Sequence, residues 1–132
     1  MKISVNEQTQ RFYLAMDKWK PVTGHAITVG KYKFCAIPTN EVINVSEVTT
    51  GCKVLNIPMN IEIMLSTSTK EDSMLFFNKI GESLKRIIES RKNFDGELEN
   101  MKKATFEKLG EMPAIENVDT DWVFAEKSEI LN

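Results

Sequence analysis

The stretch that most limits the fold is residues 42–58, where two β-prone runs flank Thr49-Thr50-Gly51. Such spacing is typical of a β-hairpin with a three-residue loop, in which glycine takes the left-handed position at Gly51. The predicted register places Glu47 opposite Lys53 as a charge pair near the tip. Because side chains alternate along a strand, one face of the hairpin is apolar. That face carries Ile43, Val45, Leu55 and Ile57.

A second hairpin is predicted over residues 24–38, because Gly30-Lys31 suits a two-residue type II′ turn with glycine first. This turn pairs Val29 with Tyr32, and the same register extends along both strands. One face then carries the pairs Ile27–Phe34 and His25–Ala36, and the other carries Thr28–Lys33 and Ala26–Cys35. Together the two hairpins predict a four-stranded antiparallel meander.

The residues before this meander admit two interpretations after a short strand at residues 2–5. Asn6 can cap a helix that places Phe12, Met16 and Trp19 on one face, at the spacing of an amphipathic helix. Pro21 would end that helix. A strand through residues 11–15 is the competing interpretation, and the helix is the preferred one.

After the meander, residues 61–65 alternate in polarity, which allows a fifth strand or an extended linker. Ser68 and Glu71 have capping-box spacing, so we expect a long helix over about residues 70–91. A second helix is predicted from about residue 95 to 109, ending at Gly110. The two helices form an antiparallel hairpin or one helix bent at Gly96.

These elements predict an α+β fold, with an antiparallel β-meander of about four or five strands packed against a C-terminal helical pair. The 132 residues suit a single domain. Residues 1–66 supply a helix and the meander, residues 67–110 the helical pair, and residues 111–132 an acidic tail. Within the tail, Trp122-Val123-Phe124-Ala125 is an apolar cluster, and we expect it to be an edge strand or a docking segment.

The charges are distributed unevenly along the chain, although the net charge is only −2. Residues 1–33 contain six basic and two acidic residues, whereas residues 111–132 contain one basic and six acidic residues. The two ends could attract each other, within or between protomers, or be two solvated faces, which we favour. Two cysteines, no signal-peptide pattern and no long apolar run indicate a cytoplasmic protein without a membrane span.

No residue pattern points to catalysis, a metal or a cofactor. His25 is the one histidine, and neither it nor Cys35 and Cys52 has the spacing of a zinc site. Both cysteines fall on the face opposite the apolar one, and we expect packed, unreactive thiols. Phosphate-loop, dinucleotide-binding, nucleophile-elbow and zinc-protease motifs are missing from the sequence. We therefore expect a protein that is not an enzyme.

The basic N-terminal region also contains aromatic residues, a combination that can bind single-stranded nucleic acid. Nucleic acid is not favoured as the partner, because the charge density is modest and the aromatic residues are needed for the core. The candidate residues for contacting a protein partner or a small ligand are Arg11, Lys18, Trp19, Lys31, Lys33 and Trp122.

The run Val-Ser-Glu-Val-Thr-Thr-Gly-Cys-Lys-Val, followed by an apolar strand and a helix beginning Thr-Lys-Glu, is similar to small accessory proteins of phages and mobile elements. The resemblance covers residues 45–80. In layout, a sheet followed by two helices also resembles the Thoeris anti-defence sponges, although no individual residue carries over. The resemblance implies a non-catalytic binding protein, such as an anti-defence inhibitor that blocks a host protein or sequesters a small nucleotide ligand. A nucleic-acid-binding protein and a structural or assembly subunit, including a homo-oligomer, are the alternatives.

Overall fold

The computed structural model describes residues 1–118, without the side chain of Ser66. The fold is α+β, as predicted, and has more strands than expected. Within residues 1–118, seven strands form the sheet in the order β6-β5-β4-β3-β2-β7, with β1 added beside β3. The elements are β1 (Ile3–Val5), β2 (Gln10–Ala15), β3 (Trp19–Val29), β4 (Tyr32–Pro38), β5 (Val42–Glu47), β6 (Lys53–Pro58), α1 (Ile61–Ser66), α2 (Lys70–Ser90), α3 (Phe94–Leu109) and β7 (Glu116–Asn117).

The β3–β4 hairpin has the predicted register at every pair. Val29 pairs with Tyr32, Ile27 with Phe34 and the remaining positions follow. Gly30 has a φ of 60°, the left-handed value that the tight turn requires. A two-residue loop fixes the register locally, which is why the sequence alone was sufficient here.

The β5–β6 hairpin follows the prediction along its strands and departs from it at the tip. Ile43 pairs with Ile57 as expected, but the register shifts between Val45 and Ser46, so that Ser46 faces Lys53. The predicted pair between Glu47 and Lys53 is therefore wrong. Gly51 has the expected left-handed φ of 69°, and its N–H donates to the Glu47 carbonyl.

The helix predicted after Asn6 is wrong, and the competing strand is correct. Residues 10–15 form β2, which pairs with the first half of β3 from Trp19 to Gly24. Phe12 is buried, whereas Met16 is exposed in the turn and Trp19 begins the next strand. The helical spacing of these three residues was coincidental, and pairing with β3 determines the conformation. Residues 1–66 therefore contain no helix before α1.

The long strand β3 has two sets of neighbours, which change at Gly24. Up to that residue it pairs with β2, and beyond it β3 pairs with β1 and β4. A Cβ atom at Gly24 would collide with the carbonyl oxygen of Ala36 and the side chain of Ile37. Glycine is therefore required for this close approach of backbones.

Residues 61–66 form the short helix α1 and not the predicted strand or linker. The Asn60 side chain caps α1 by accepting a hydrogen bond from the Ile63 N–H. The next helix begins as expected at Lys70, although its cap is Thr69, which accepts from the Asp72 N–H, and not Ser68.

Two hydrophobic clusters lie on opposite sides of the sheet. The first lies between the sheet and α2, whereas the second contains residues of β2, β3 and β4 and so uses the face that the sequence left less apolar. The first is formed by Ile27, Val29, Phe34, Ala36, Ile43, Val45, Phe77, Ile80, Leu84 and Ile88. The second is formed by Phe12, Leu14, Ala26, Cys35, Ile37 and Val48.

The second predicted helix is α3, and it ends at Gly110 as expected. The chain leaves α2 at Ser90 and starts α3 at Phe94, so these are two separate helices and not one bent at Gly96. No residue of α3 is buried. The helix is instead fastened at its two ends, by contacts that include several of the predicted partner residues.

Candidate functional site

The start of α3 is held by a contact with the β3–β4 turn. Lys31 Nζ lies 2.7 Å from Asp95 Oδ2, and the Tyr32 hydroxyl donates to Asp95 Oδ1 at 2.7 Å. The Tyr32 ring also meets Phe94 edge to face, with centroids 4.9 Å apart. The hydrogen bond from Lys31 lowers the pKa of Asp95, and the one from Tyr32 adds to this effect. Lys31, a predicted partner residue, therefore binds the first turn of α3 through Asp95.

Beside this contact is a cleft of about 510 Å³ between α3, the β3–β4 turn and the tip of the β5–β6 hairpin. Lys33, another predicted residue, is exposed there. Among residues 1–118, neither Lys33 nor Lys102 lies in an ion pair, so both cations can meet an incoming anion. The lining is Lys31, Tyr32, Lys33, Glu47, Thr49, Asp95, Leu98, Glu99 and Lys102.

Glu47 differs from the other charged residues of this lining because its carboxylate is buried in the hairpin tip. Its side chain is only 2% exposed. The carboxylate accepts hydrogen bonds from the Thr49 N–H at 3.0 Å, the Thr49 hydroxyl at 2.8 Å and the Thr50 N–H at 2.8 Å. Its role is therefore to organise the loop that forms one wall of the cleft.

The second contact fastens the end of α3 through Trp19. Its indole N–H donates to the Gly110 carbonyl at 3.2 Å. Its ring meets Phe106 edge to face, with centroids 5.6 Å apart. Trp19, a predicted partner residue, therefore makes its contacts within the chain.

The remaining predicted residues do not form one site. Arg11 pairs with Glu116 at 2.8 Å, where β7 runs beside β2. The acidic segment therefore does meet the basic region at this point. Lys18 is exposed in the turn between β2 and β3. Trp122 lies outside the described residues.

A second candidate surface is apolar and was missed in the sequence. On α1, Ile61 is 76% exposed, Leu65 is 68% exposed and Met64 is 48% exposed. These three residues share one side of the helix, because positions three and four apart are neighbours. Ile63 packs instead against the first hydrophobic cluster. The alternation of residues 61–65 suggested a strand, and that interpretation hid the outward stripe.

The buried titratable groups His25 and Cys35 are part of the packed interior. His25 is fully buried, its Nδ1 lies 3.1 Å from the Asn6 carbonyl oxygen, and its ring packs against Phe77. Burial lowers the pKa of His25. Burial also raises the pKa of the Cys35 thiol to about 12. Cys35 faces Ser46 across the sheet.

Two further properties of the described part of the chain bear on function. Within residues 1–118, no three histidine, cysteine, aspartate or glutamate side chains are grouped so that they could hold a metal ion. None of the helices there has the length and apolar character needed to cross a membrane. No protein-family model, curated protein or solved structure matches the chain.

Proposed function

We propose that this chain is a non-catalytic binding protein that docks a protein partner on the outward face of α1. The observation that carries the proposal is the exposure of Ile61, Met64 and Leu65 on consecutive turns. Water contact with large aliphatic side chains is costly, and clustered exposure of this kind marks interaction sites. The partner would have an apolar groove that receives the exposed face of α1, as in other complexes where an amphipathic helix binds a hydrophobic groove.

The size of the expected effect follows from the exposed side chains. Covering Ile61 and Leu65, which are 76% and 68% exposed, would contribute about 3 kcal/mol to binding. Replacing both with serine should therefore weaken the complex about 100-fold. The cap at Asn60 would still form α1, so the fold should be retained.

The test begins with the interacting proteins of the native host, recovered with the tagged full-length protein. Each recovered protein is then purified and titrated by calorimetry against the wild type and the Ile61→Ser/Leu65→Ser double variant. Met16→Ser is the matched control, since Met16 is 54% exposed in the turn between β2 and β3. Equal affinities of the wild type and the double variant for every purified partner would refute the proposal.

A small anionic ligand in the cleft beside α3 is the second candidate function. It is supported by Lys33 and Lys102, which line the cleft and form no ion pair among residues 1–118. A nucleotide phosphate is an anion of suitable chemistry. Titration with a cyclic dinucleotide should give binding that weakens at least about tenfold in Lys33→Ala/Lys102→Ala. Lys18→Ala is the control, and binding that is equal in all three proteins would exclude this cleft.

Inhibition of a host protein by a phage or mobile-element protein in the cytoplasm is the biological setting that we propose. Nucleic-acid binding is a weaker proposal, because Arg11 and Lys31 are engaged by Glu116 and Asp95. A steep loss of DNA or RNA affinity with rising salt would favour it. An assembly subunit or homo-oligomer would show a mass above that of the monomer in light scattering.

A further inference from the structure

The Asp95 carboxylate lies where two hydrogen-bond donors of the cleft beside α3 converge. Its Oδ2 is 2.7 Å from the Lys31 ammonium nitrogen, and its Oδ1 accepts from the Tyr32 hydroxyl at 2.7 Å. The oxygens of a phosphate group accept the same hydrogen bonds from an ammonium group and a phenol. Asp95 therefore makes, within the chain, the contacts that an anionic ligand would make with Lys31 and Tyr32.

The ion pair between Lys31 and Asp95 is at the surface, so a ligand can compete with it. The Lys31 side chain is 68% exposed and the Asp95 side chain is 56% exposed. Exposed pairs of this kind contribute little to stability, because water and salt screen them. A phosphate group carries more negative charge than a carboxylate and attracts the same ammonium group more strongly. It also gains Lys33 and Lys102, which line the cleft and form no ion pair among residues 1–118.

The start of α3 depends on this contact more than the interior of a packed helix would. No residue of α3 is buried. Besides the hydrogen bonds of Asp95, the start of the helix contacts the sheet through the Phe94 ring, which packs against Tyr32 and Phe34. The end of the helix has separate contacts with Trp19. Loss of the Asp95 contacts therefore loosens the start of α3 and leaves its end attached.

We propose that Asp95 is an internal competitor at an anion subsite formed by Lys31 and Tyr32, and that a phosphate-bearing ligand displaces it and releases the first turn of α3. This inference rests on the second candidate function, and adds to it the place where the phosphate binds and the response of the protein. Release follows because a phosphate group bound to Lys31 repels the displaced carboxylate and that of Glu99, which lines the same cleft. The cleft thus couples ligand binding to the position of α3.

Inorganic pyrophosphate is the probe, titrated by NMR into the full-length wild type, Asp95→Asn and Glu99→Gln. Asp95→Asn removes the competing charge and keeps the shape of the side chain, so its affinity for pyrophosphate should be about fivefold higher than that of the wild type. Glu99→Gln is the matched control, because Glu99 is exposed in the same cleft and its replacement changes the net charge equally without freeing Lys31. Its affinity should rise by less than about twofold, since exposed charges are screened.

The response of α3 is measured from nuclear Overhauser effects between ring protons. Those between Tyr32 and Phe94, whose ring centroids are 4.9 Å apart, should be present in the free wild type and lost at saturating pyrophosphate. Those between Trp19 and Phe106, at the other end of α3, should be retained, because neither residue contacts the subsite. This pair of observations distinguishes release of the first turn from unfolding of the helix.

Three results would overturn the proposal. The first is equal affinity of the wild type and Asp95→Asn for pyrophosphate, or no binding by either protein. The second is an equal gain in Asp95→Asn and Glu99→Gln, which would reduce the effect of Asp95 to its charge. The third is a contact between Tyr32 and Phe94 that persists at saturation, because the first turn would then stay in place.

The second candidate function and this proposal can fail separately. Cyclic dinucleotide binding that is lost in Lys33→Ala/Lys102→Ala would support the cleft as a ligand site whatever the outcome at Asp95. Conversely, displacement of Asp95 by pyrophosphate would stand even if the cyclic dinucleotide did not bind.

Discussion

Replacement of Glu47 by glutamine should destabilise the protein substantially, although the side chain keeps its shape. The carboxylate accepts from two backbone N–H groups, of Thr49 and Thr50, and from the Thr49 hydroxyl. A glutamine amide has one acceptor oxygen, so its NH₂ group would face a backbone N–H as a second donor. Its single oxygen can serve only one of these N–H groups, and each hydrogen bond that remains loses the negative charge of its acceptor.

The magnitude follows from one lost hydrogen bond to a charged acceptor, which is worth about 2 kcal/mol in such a site. The urea midpoint should therefore fall by roughly 1 M, with an unchanged slope. Glu41→Gln is the control, because Glu41 is exposed, and it should change the free energy of unfolding by less than about 0.5 kcal/mol. If Glu47→Gln is as stable as Glu41→Gln, the hydrogen bonds at the tip do not stabilise the fold and the reasoning is refuted.

Three further predictions concern buried polar groups. Burial lowers the pKa of His25 below 6.5, so on acidification the unfolded chain binds a proton before the folded chain does. The free energy of unfolding should therefore fall as the pH drops below 6.5, by at most about 1.4 kcal/mol per pH unit, and His25→Gln should show a smaller pH dependence. Iodoacetamide at pH 8 should modify Cys52 in the native protein and spare Cys35 until urea is added, whereas equal native labelling would contradict the raised thiol pKa. The buried Thr9 hydroxyl has no hydrogen-bond partner within residues 1–118, so Thr9→Val should raise the free energy of unfolding by about 1 kcal/mol, and a loss of similar size would show that the hydroxyl is satisfied.

The sequence was most informative where conformation depends on residues close together in the chain. The register of β3 and β4 followed from Gly30, and α2 followed from its apolar periodicity. Residues 10–15 were assigned wrongly because their strand is selected by pairing with β3, which the local spacing does not encode. The opposite error at residues 61–65 arose because a helix with apolar residues on both sides also fits an alternating pattern.

The candidate site was only partly predictable for a related reason. Lys31 and Lys33 were recognised as neighbours of one turn, but Asp95 lies 64 residues from Lys31 and no spacing rule connects them. The bulge between Val45 and Ser46 likewise redirected Glu47 from a surface charge pair into the hairpin tip. A bulge of this kind depends on the packing of both faces of the sheet, which a strand pattern does not reveal.

The packing of both faces of β3 has a consequence for how the protein unfolds. Ile27 and Val29 of this strand belong to the cluster under α2, and Ala26 belongs to the cluster on the other side. Losing either cluster therefore removes a strand that the other needs. We expect the layers to melt cooperatively, so that far-UV circular dichroism and near-UV signals from the two sides share one transition.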